Sequence, residues 1–262
     1  MPIDQRDFTA LFLFAHQDDE FGVFARIEQE VRSGQRVCCA YLTDGAASTN
    51  SRRRDEESLS VLKRLGINAQ DVVFVGRELG MGDGRLHLKT SLLADWIDRF
   101  MREHSTINAV FVPAWEGGHP DHDILHAVVV EQLSEKNDFV KVWQYPLYNG
   151  NRCPSLMFQV QSPLLENGPV TEQKIRWTDR LRYVRLCLAY PSQWRTWIGL
   201  FPFVCCHYIF RGIQPLQGVS RDRLINPPHA RPLYYERRQF LDWPTLHAAL
   251  QSLKTAQQNL EE

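Results

Sequence analysis

The fold is indicated most clearly by one stretch, LFLFAHQDDE at residues 11–20. Its first half is an apolar run typical of a buried β-strand, and its second half is a histidine followed by acidic residues. A similar stretch, AVFVPAWEGGHPDHD, lies at residues 109–123. If both apolar runs are parallel strands of one sheet, the two polar clusters lie at carboxyl ends of strands, where open α/β sheets bind their ligands.

The sequence around these stretches predicts the fold class. Over the first 150 residues, strand-like apolar runs alternate with segments of helical periodicity, which indicates βαβ units. Strands are expected at 10–15, 36–42, 72–75, 109–112 and 140–145, and helices at 21–33, 56–65, 91–103 and 124–131. We therefore expect an α/β protein, a Rossmann-like three-layer sandwich with a mostly parallel sheet.

The pattern loosens beyond residue 150. We expect residues 8–150 to form a Rossmann-like catalytic core, and residues 151–262 to form a smaller mixed subdomain that completes the site within one integrated domain. In this second part, residues 171–189 predict a helix and residues 197–210 predict a buried apolar element. Residues 243–254 predict a final helix, with Asp242 as its cap.

Composition excludes several classes of protein. The chain has 262 residues, a net charge of −1 and 44% apolar residues, which is typical of a globular protein and unlike a nucleic-acid binder that uses bulk electrostatics. No stretch reaches the ~18 apolar residues that a membrane span needs. Residues 1–7 also lack the pattern of a signal peptide. These features predict a cytoplasmic protein without a membrane span, and they allow a homo-oligomer.

The two clusters carry residues suited to metal-assisted hydrolysis. Catalytic zinc uses three histidine or carboxylate ligands and leaves a position open for water. A remaining carboxylate can accept the proton of that water, and a remaining histidine can stabilise an oxyanion or protonate a leaving amine. The sequence therefore predicts a zinc-dependent hydrolase, with three ligands drawn from six candidates: His16, Asp18, Asp19, His119, Asp121 and His122.

These clusters resemble the paired signatures of the LmbE-like, or PIG-L-like, zinc-dependent de-N-acetylases. The matching motifs are HQDDE at 16–20 and HPDHD at 119–123. Further motifs agree with the family in order: LTDG at 42–45, RDEE at 54–57, and YPSQ at 190–193 after Lys174. The resemblance spans about residues 10–195 and implies the family's fold and chemistry.

Carried over position by position, the resemblance implies that His16, Asp19 and His122 hold one Zn²⁺ per chain. Such a ligand set also accepts other divalent transition metals. The resemblance makes Asp18 the general base that activates water. It makes His119 the residue that stabilises the oxyanion or protonates the departing amine.

Three further residues are candidates for supporting roles. The resemblance implies that Asp121 orients and charges the His119 imidazole, and that Arg54 binds the sugar. Asp83 in MGDG at 81–84 is a candidate for binding sugar hydroxyls or for stabilising the turn. The sequence also departs from the family pattern: Gln17 replaces the usual proline, and Gly117 stands where some members have a tyrosine.

The resemblance implies removal of an N-acetyl group from an amino sugar, mostly an N-acetylglucosamine derivative, or from its conjugate. One alternative is deacylation of another amide, such as a glycopeptide, a natural-product intermediate or a longer acyl chain. A second is a non-catalytic module that binds metal or sugar. A nucleotide-binding Rossmann protein is disfavoured, because carboxylates at 18–20 would repel a pyrophosphate where a glycine-rich turn is expected.

Overall fold

The computed structural model describes residues 8–45, 50–133 and 139–261, and a seven-stranded sheet lies at its centre. The strands, in chain order, are β1 (Thr9–Phe14), β2 (Arg36–Tyr41), β3 (Val72–Phe74), β4 (Ile107–Pro113), β5 (Lys141–Tyr145), β6 (Tyr148–Asn149), β7 (Gln159–Val160), β8 (Val170–Lys174) and β9 (Ile213–Gly218). The order in the large sheet is β3-β2-β1-β4-β5-β9-β8, while β6 and β7 form a separate ribbon. Strands β1 to β5 are parallel, and β9 and β8 extend the sheet in antiparallel pairs.

Helices cover both faces of this sheet, which confirms the predicted three-layer α/β fold. They are α1 (Phe24–Arg32), α2 (Ser51–Arg64), α3 (Val75–Leu79), α4 (Thr90–Glu103), α5 (Pro120–Leu133), α6 (Trp177–Cys187), α7 (Trp194–Cys206), α8 (Tyr234–Arg237) and α9 (Trp243–Glu261). A π-helical turn, His207–Arg211, follows α7 directly. Helices α4, α5 and α9 pack in the core on one face, and α1, α2, α6 and α7 pack on the other.

Strand β1 lies in the interior of the sheet, and both of its faces are buried. Leu11 and Leu13 point into one core, while Phe12 and Phe14 point into the other. This explains the unbroken apolar run, since a parallel strand covered on both sides needs no polar face. β1 lies between β2 and β4, and the helices that follow β1 and β4 lie on opposite faces of the sheet. The carboxyl ends of β1 and β4 therefore border a crevice of the kind that binds ligands in open α/β sheets.

The prediction of one helix over residues 171–189 was wrong in its first part. Residues Val170–Lys174 form the edge strand β8, and α6 begins only at Trp177. Strand β8 pairs along its whole length with β9, which lies about forty residues further along the chain. This long-range pairing overrides the local preference for helix, because strand formation depends on the neighbouring strand more than on the segment itself.

Two further predictions for residues 151–262 had different outcomes. Asp242 caps α9 as predicted, since its Oδ1 accepts from the Thr245 N–H at 2.8 Å. The apolar segment 197–210 is buried on one side only, because Phe203 and Phe210 are exposed.

The domain boundary at residue 150 stays a prediction. Residues 1–7, which we used to predict the compartment, lie outside the described residues. In the part of the chain that is described, no helix is long and apolar enough to cross a membrane.

Candidate metal centre and active site

The two histidine–carboxylate clusters meet at the carboxyl ends of β1 and β4. His16 Nδ1 lies 3.2 Å from His122 Nε2. Asp19 joins both rings, with Oδ1 at 3.1 Å from His122 Nε2 and Oδ2 at 3.6 Å from His16 Nδ1. All three side chains are buried. The residues that the resemblance implies as ligands therefore converge on one point, although their role as ligands stays a prediction.

This triangle fits a divalent metal with nitrogen and oxygen ligands. Zinc binds histidine nitrogen and carboxylate oxygen at about 2.0–2.2 Å, so a tetrahedral site separates its ligand atoms by roughly 3.3 Å. The three distances around His16, Asp19 and His122 lie close to that value. The rings of His16, His119 and His122 also offer nitrogens within 4.8 Å of one another. His119 therefore lies beside the point on which His16, Asp19 and His122 converge.

Two carboxylates fix the orientation of the His16 ring. His16 Nε2 lies 3.1 Å from Asp121 Oδ2 and 3.3 Å from Asp83 Oδ1. Burial lowers the pKa of His16, but Asp83, Asp121 and Asp19 together raise that pKa well above its ordinary value. Because Nε2 faces these two carboxylates, a neutral ring carries its proton on Nε2, and its Nδ1 faces Asp19 and His122. Metal-binding histidines are commonly held by a carboxylate on the other ring nitrogen in this way.

The carboxylate of Asp121 faces a different histidine from the one that the family resemblance implies. Its carboxylate accepts from the Gly84 N–H at 2.6 Å and the Leu86 N–H at 3.1 Å, in addition to contacting His16. Only its backbone N–H reaches His119, at 3.2 Å from Nδ1. The structure thus places the carboxylate where it orients His16, and the predicted orientation of His119 comes from the backbone of Asp121.

His119 presents a neutral imidazole to the cavity. Because Nδ1 accepts the Asp121 N–H, Nε2 is the nitrogen that carries the proton. Burial and the neighbouring His16 lower the pKa of His119 to about 3. The ring is therefore available as an uncharged hydrogen-bond donor.

Asp18 has an unusual backbone for a residue other than glycine, with φ of 110°. Its N–H donates to Glu20 Oε2 at 2.7 Å, and the fully buried Glu20 also accepts from the Tyr41 hydroxyl. Burial raises the pKa of Asp18 to about 8 against the lowering effect of Arg54, whose Nη2 lies 3.5 Å from Oδ1. Strained backbones persist where the surrounding structure enforces them, frequently at functional sites.

Gln17 holds the loop where the family usually has a proline. Its side-chain Nε2 donates to Asp55 Oδ1 at 2.8 Å, and its backbone carbonyl accepts from Arg54 Nη2 at 2.7 Å. Gln17 is itself buried. Hydrogen bonds to α2 therefore hold the backbone of this loop in place, as a proline ring would do by restricting φ.

Arg54 and Asp83 both border the cavity, as expected for candidate substrate-binding residues, and they also contact each other. Arg54 is buried and donates to the carbonyl of Gly45 as well as to that of Gln17. Its Nη1 lies 3.4 Å from Asp83 Oδ2. Burial would raise the pKa of Asp83, but His16, His119 and Arg54 hold that pKa below its ordinary value. The two side chains thus link Asp18 to the carboxylates around His16.

Tyr148 is a site residue that the sequence analysis missed. Its ring lies edge-on to His122, with ring centroids 5.8 Å apart, and it borders the cavity. Burial and Asp19 raise the pKa of Tyr148 well above its ordinary value, so the hydroxyl keeps its proton. The residue follows the end of β5, at the same edge of the sheet as both clusters. That position was the signal that could have identified it.

Glu116 and Gly118 fix the position of Tyr148. The fully buried Glu116 accepts from the N–H groups of Leu147 and Tyr148 at 2.7 and 2.9 Å, and from Asn149 Nδ2 at 3.2 Å. Gly118 packs so closely that a Cβ there would lie 1.9 Å from the Tyr148 carbonyl oxygen.

Gly117, at the position of the tyrosine in some family members, leaves no room for a side chain. A Cβ there would lie 2.9 Å from Leu233 and 3.2 Å from His229 Nε2, and its φ of +72° disfavours other residues. A tyrosine therefore cannot enter the site from position 117. Tyr148 enters the site from the end of β5 instead.

A cavity of about 420 Å³ opens over these residues, and its walls differ in chemistry. The wall formed by the two clusters is polar. The facing wall comes from residues beyond β5, of which only Gln193, in the YPSQ stretch, belongs to a motif: Phe158, Gln193, Arg195, Thr196, Gly199, Leu200, Tyr234, Arg238 and Phe240, together with Phe21. Trp115 does not line this cavity; it is buried in the core, where its Nε1 donates to the Asn226 carbonyl at 3.3 Å.

The RDEE and YPSQ motifs contact each other. Glu57 of α2 accepts from the Ser192 N–H at 3.1 Å and from its hydroxyl at 2.5 Å. This contact joins α2 to the turn before α7 and places the next residue, Gln193, at the cavity wall.

Comparison with known proteins gives a family match and a shared fold. Residues 11–133 match the family described as PIG-L: GlcNAc-PI de-N-acetylase. No protein with a curated description matches the chain.

Three solved structures illustrate the shared fold. A deacetylase from the teicoplanin biosynthesis pathway is 18% identical, with a TM-score of 0.61 over 81% of this chain and 98% of its own. N,N′-diacetylchitobiose deacetylase from Pyrococcus horikoshii is 16% identical, with a TM-score of 0.54 over 86% of each chain. A 4-carboxy-2-hydroxymuconate hydratase from Pseudomonas putida KT2440 is 15% identical, with a TM-score of 0.50 over 81% and 96%. At these identities the comparisons show the fold, which serves more than one reaction.

Proposed function

We propose that the protein, whose residues 11–133 match the PIG-L family, is a zinc-dependent deacetylase that hydrolyses the N-acetyl group of an amino sugar or its conjugate. The observation that carries the proposal is the convergence of His16, Asp19 and His122 within 3.1–3.6 Å of one another. Asp18 borders the same cavity, where a base is needed. In this proposal His16 Nδ1, His122 Nε2 and the Asp19 carboxylate hold the zinc. The metal, when bound, supplies Lewis acidity towards the amide carbonyl and the attacking water.

The remaining residues handle protons and charge. Asp18 accepts a proton from the attacking water, a bond forms between the water oxygen and the carbonyl carbon, and the carbon–nitrogen bond then breaks. The proton passes from Asp18 to the departing amine, so the products are acetate and the free amine. This double duty requires a carboxyl that is ionised when water attacks and protonated when the amine departs. His119 Nε2–H donates to the carbonyl oxygen as negative charge develops there.

Arg54 and the two neighbouring carboxylates have positioning roles in this scheme. Asp121 and Asp83 keep the His16 ring oriented through Nε2. Arg54 contacts both Asp18 and Asp83 and so positions the two carboxylates at the cavity wall, where Asp83 is available to bind sugar hydroxyls.

Tyr148 is assigned as a second donor to the carbonyl oxygen. Replacing it with phenylalanine is expected to lower kcat roughly 30-fold and to change KM less than about threefold, because His119 supplies the other donor. Steady-state kinetics on an accepted substrate measure this. Tyr234→Phe is the matched control, since Tyr234 lines the same cavity and its ring lies 5.9 Å from that of Tyr148. Equal kinetics for Tyr148→Phe and wild type would contradict the assignment.

The apolar wall favours a substrate larger than a single sugar. Phe21, Phe158, Leu200, Tyr234 and Phe240 form a surface that a sugar alone would leave exposed to water. A conjugate with an apolar aglycone would cover it, and so would a longer acyl chain on the amide. The second case is our alternative function, deacylation of a different amide.

One experiment separates these functions. The zinc-loaded protein is incubated with N-acetylglucosamine, with an aryl glycoside of N-acetylglucosamine, and with the same aryl glycoside carrying an octanoyl amide. We expect the fastest release of acid from the aryl N-acetyl compound. Faster release of octanoate would support the alternative. Bound zinc without release from any amide would contradict the deacylase proposals and favour a binding module.

A further inference from the structure

An exposed apolar surface adjoins the mouth of the cavity. Seven of the fourteen exposed large hydrophobic residues among those described lie between residues 177 and 210. Their exposed fractions run from 42% for Phe203 to 79% for Phe210. We call this surface the α6–α7 face; it comprises Trp177, Leu181, Leu188, Trp194, Ile198, Phe203 and Phe210, with Arg185, Arg195 and Arg211 among them. Contiguous apolar patches on a protein surface mark interaction sites.

The spacing of these residues makes the face continuous. Trp177, Leu181, Arg185 and Leu188 are three or four residues apart, and so form one outward stripe of α6. The five residues between Leu188 and Trp194 connect this stripe to the outer side of α7. The Arg180 guanidinium lies 4.5 Å from the Trp177 ring and donates to the Ile209 carbonyl at 3.0 Å. This contact joins the start of α6 to the π-helical turn that carries Phe210.

The charge of the face has a single sign. Residues 177–211 contain five arginines and one acidic residue, Asp179, in a chain whose net charge is −1. Asp179 is buried and pairs with Arg176 and Arg182. Arg185, Arg195 and Arg211 are exposed, and none of them pairs with a carboxylate in the part of the chain that the structure describes. The face therefore presents tryptophan, phenylalanine and arginine. The carboxylates of Glu28 and Glu57, which contact this segment from other helices, are paired with Arg182 and Arg53.

From this combination we infer that the α6–α7 face binds the surface of a membrane that contains anionic lipids. Helices with aromatic and aliphatic residues on one side and arginines among them lie in the interface of such membranes, where each nearby arginine strengthens binding. A symmetric contact with a second copy is disfavoured, because it would bring the unpaired arginines of both copies together.

The position of the face links it to the cavity. Arg195, Thr196 and Gly199 lie on the exposed side of α7 and also line the cavity, while Leu200 lines it from the buried side. A bound membrane would thus lie against the mouth of the cavity, next to its apolar wall. An amphiphilic substrate could then pass from lipid to the polar clusters without exposing its apolar part to water. This consequence rests on the proposed function, whereas membrane binding itself does not.

Vesicle flotation tests the inference without a substrate. The full chain is mixed with vesicles of phosphatidylcholine alone or with about 30% phosphatidylglycerol. We expect binding to the anionic vesicles, weaker binding to neutral ones, and a decrease with rising salt. Ile198→Ser with Phe210→Ser should reduce the bound fraction more than tenfold. Arg185→Gln with Arg211→Gln should reduce affinity roughly fivefold per arginine.

A matched control is provided by Leu88→Ser with Leu165→Ser. These residues are 66% and 80% exposed, against 66% and 79% for Ile198 and Phe210, and lie outside the face. The control should bind vesicles like wild type, and thermal melts should be similar for all variants. Failure of the wild type to float, or equal binding by the Ile198/Phe210 variant, would overturn the inference. Light scattering that shows a dimer broken by the same substitutions, without vesicle binding, would assign the face to a second copy instead.

Discussion

Replacing Asp18 by asparagine is expected to lower kcat about a thousandfold while zinc remains bound. The amide has nearly the shape of the carboxylate, but it cannot accept the proton of the attacking water. General acid–base groups typically contribute 10²–10⁴-fold, and Asp18 both takes this proton and returns it to the amine in our scheme. Stopped assays of acetate release measure the rate, and metal analysis of the same sample measures zinc.

Asp71→Asn is the matched control for this substitution. Asp71 and Asp18 are both 8% exposed, and each lies beside an arginine: Arg36 at 2.7 Å for Asp71 and Arg54 at 3.5 Å for Asp18. Asp71 is remote from the cavity, so its substitution should lower stability without changing kcat. If Asp18→Asn kept more than about a tenth of wild-type kcat, Asp18 would not be the base. Loss of zinc from Asp18→Asn would instead indicate a structural role in the centre.

The residues around the metal triangle could be predicted because local sequence determines their position. A buried parallel strand followed at once by a polar cluster places that cluster at the carboxyl edge of the sheet. The same argument applies to residues 16–20 and to residues 119–123. Pro120 begins α5, so His119 and His122 fall at a helix start as their spacing suggested. The convergence of the two clusters then follows from the adjacency of β1 and β4.

The partner of Asp121 could not be predicted in the same way. Its carboxylate faces His16 because Gly84 and Leu86, in a turn about 35 residues earlier, donate their N–H groups to it. Sequence spacing brings Asp121 near His119 but does not reveal that turn. The interaction is tertiary, and only the packed structure shows which imidazole the carboxylate orients.

The aromatic wall of the cavity could not be predicted from the sequence either. Phe158, Tyr234 and Phe240 are far apart in the chain and carry no motif, and they meet because the second part of the chain folds back over the sheet edge. The antiparallel pairing of β8 with β9 belongs to the same part. Long-range contacts of this kind depend on how elements pack and leave little trace in local periodicity.

Replacing His122 by asparagine is expected to remove the metal as well as the activity. His122 Nε2 is the one atom that contacts both His16 Nδ1 and Asp19 at about 3.1–3.2 Å, so its loss leaves two of the three expected ligands. Wild-type protein should hold about one zinc per chain, and the variant should hold nearly none after dialysis. Added zinc should raise the Tm of the wild type by roughly 5–10 °C, because a ligand at a hundred times its Kd stabilises the folded state by about 2.7 kcal/mol. The variant should show no such shift.

His126→Asn separates this effect from general damage to the helix. His126 lies one turn further along α5, is as buried as His122, and bonds through Nδ1 to the Pro113 carbonyl at 2.9 Å rather than to the cluster. Its substitution should lower the Tm of the zinc-free protein, yet zinc content and the zinc-dependent rise in Tm should stay close to wild type. If both histidine variants lost zinc equally, the metal would depend on the fold of α5 and not on His122 as a ligand. If neither lost it, the metal would sit elsewhere, and the convergence of the two clusters would need a different explanation. Only selective loss in His122→Asn agrees with a centre in which His16, Asp19 and His122 bind one ion.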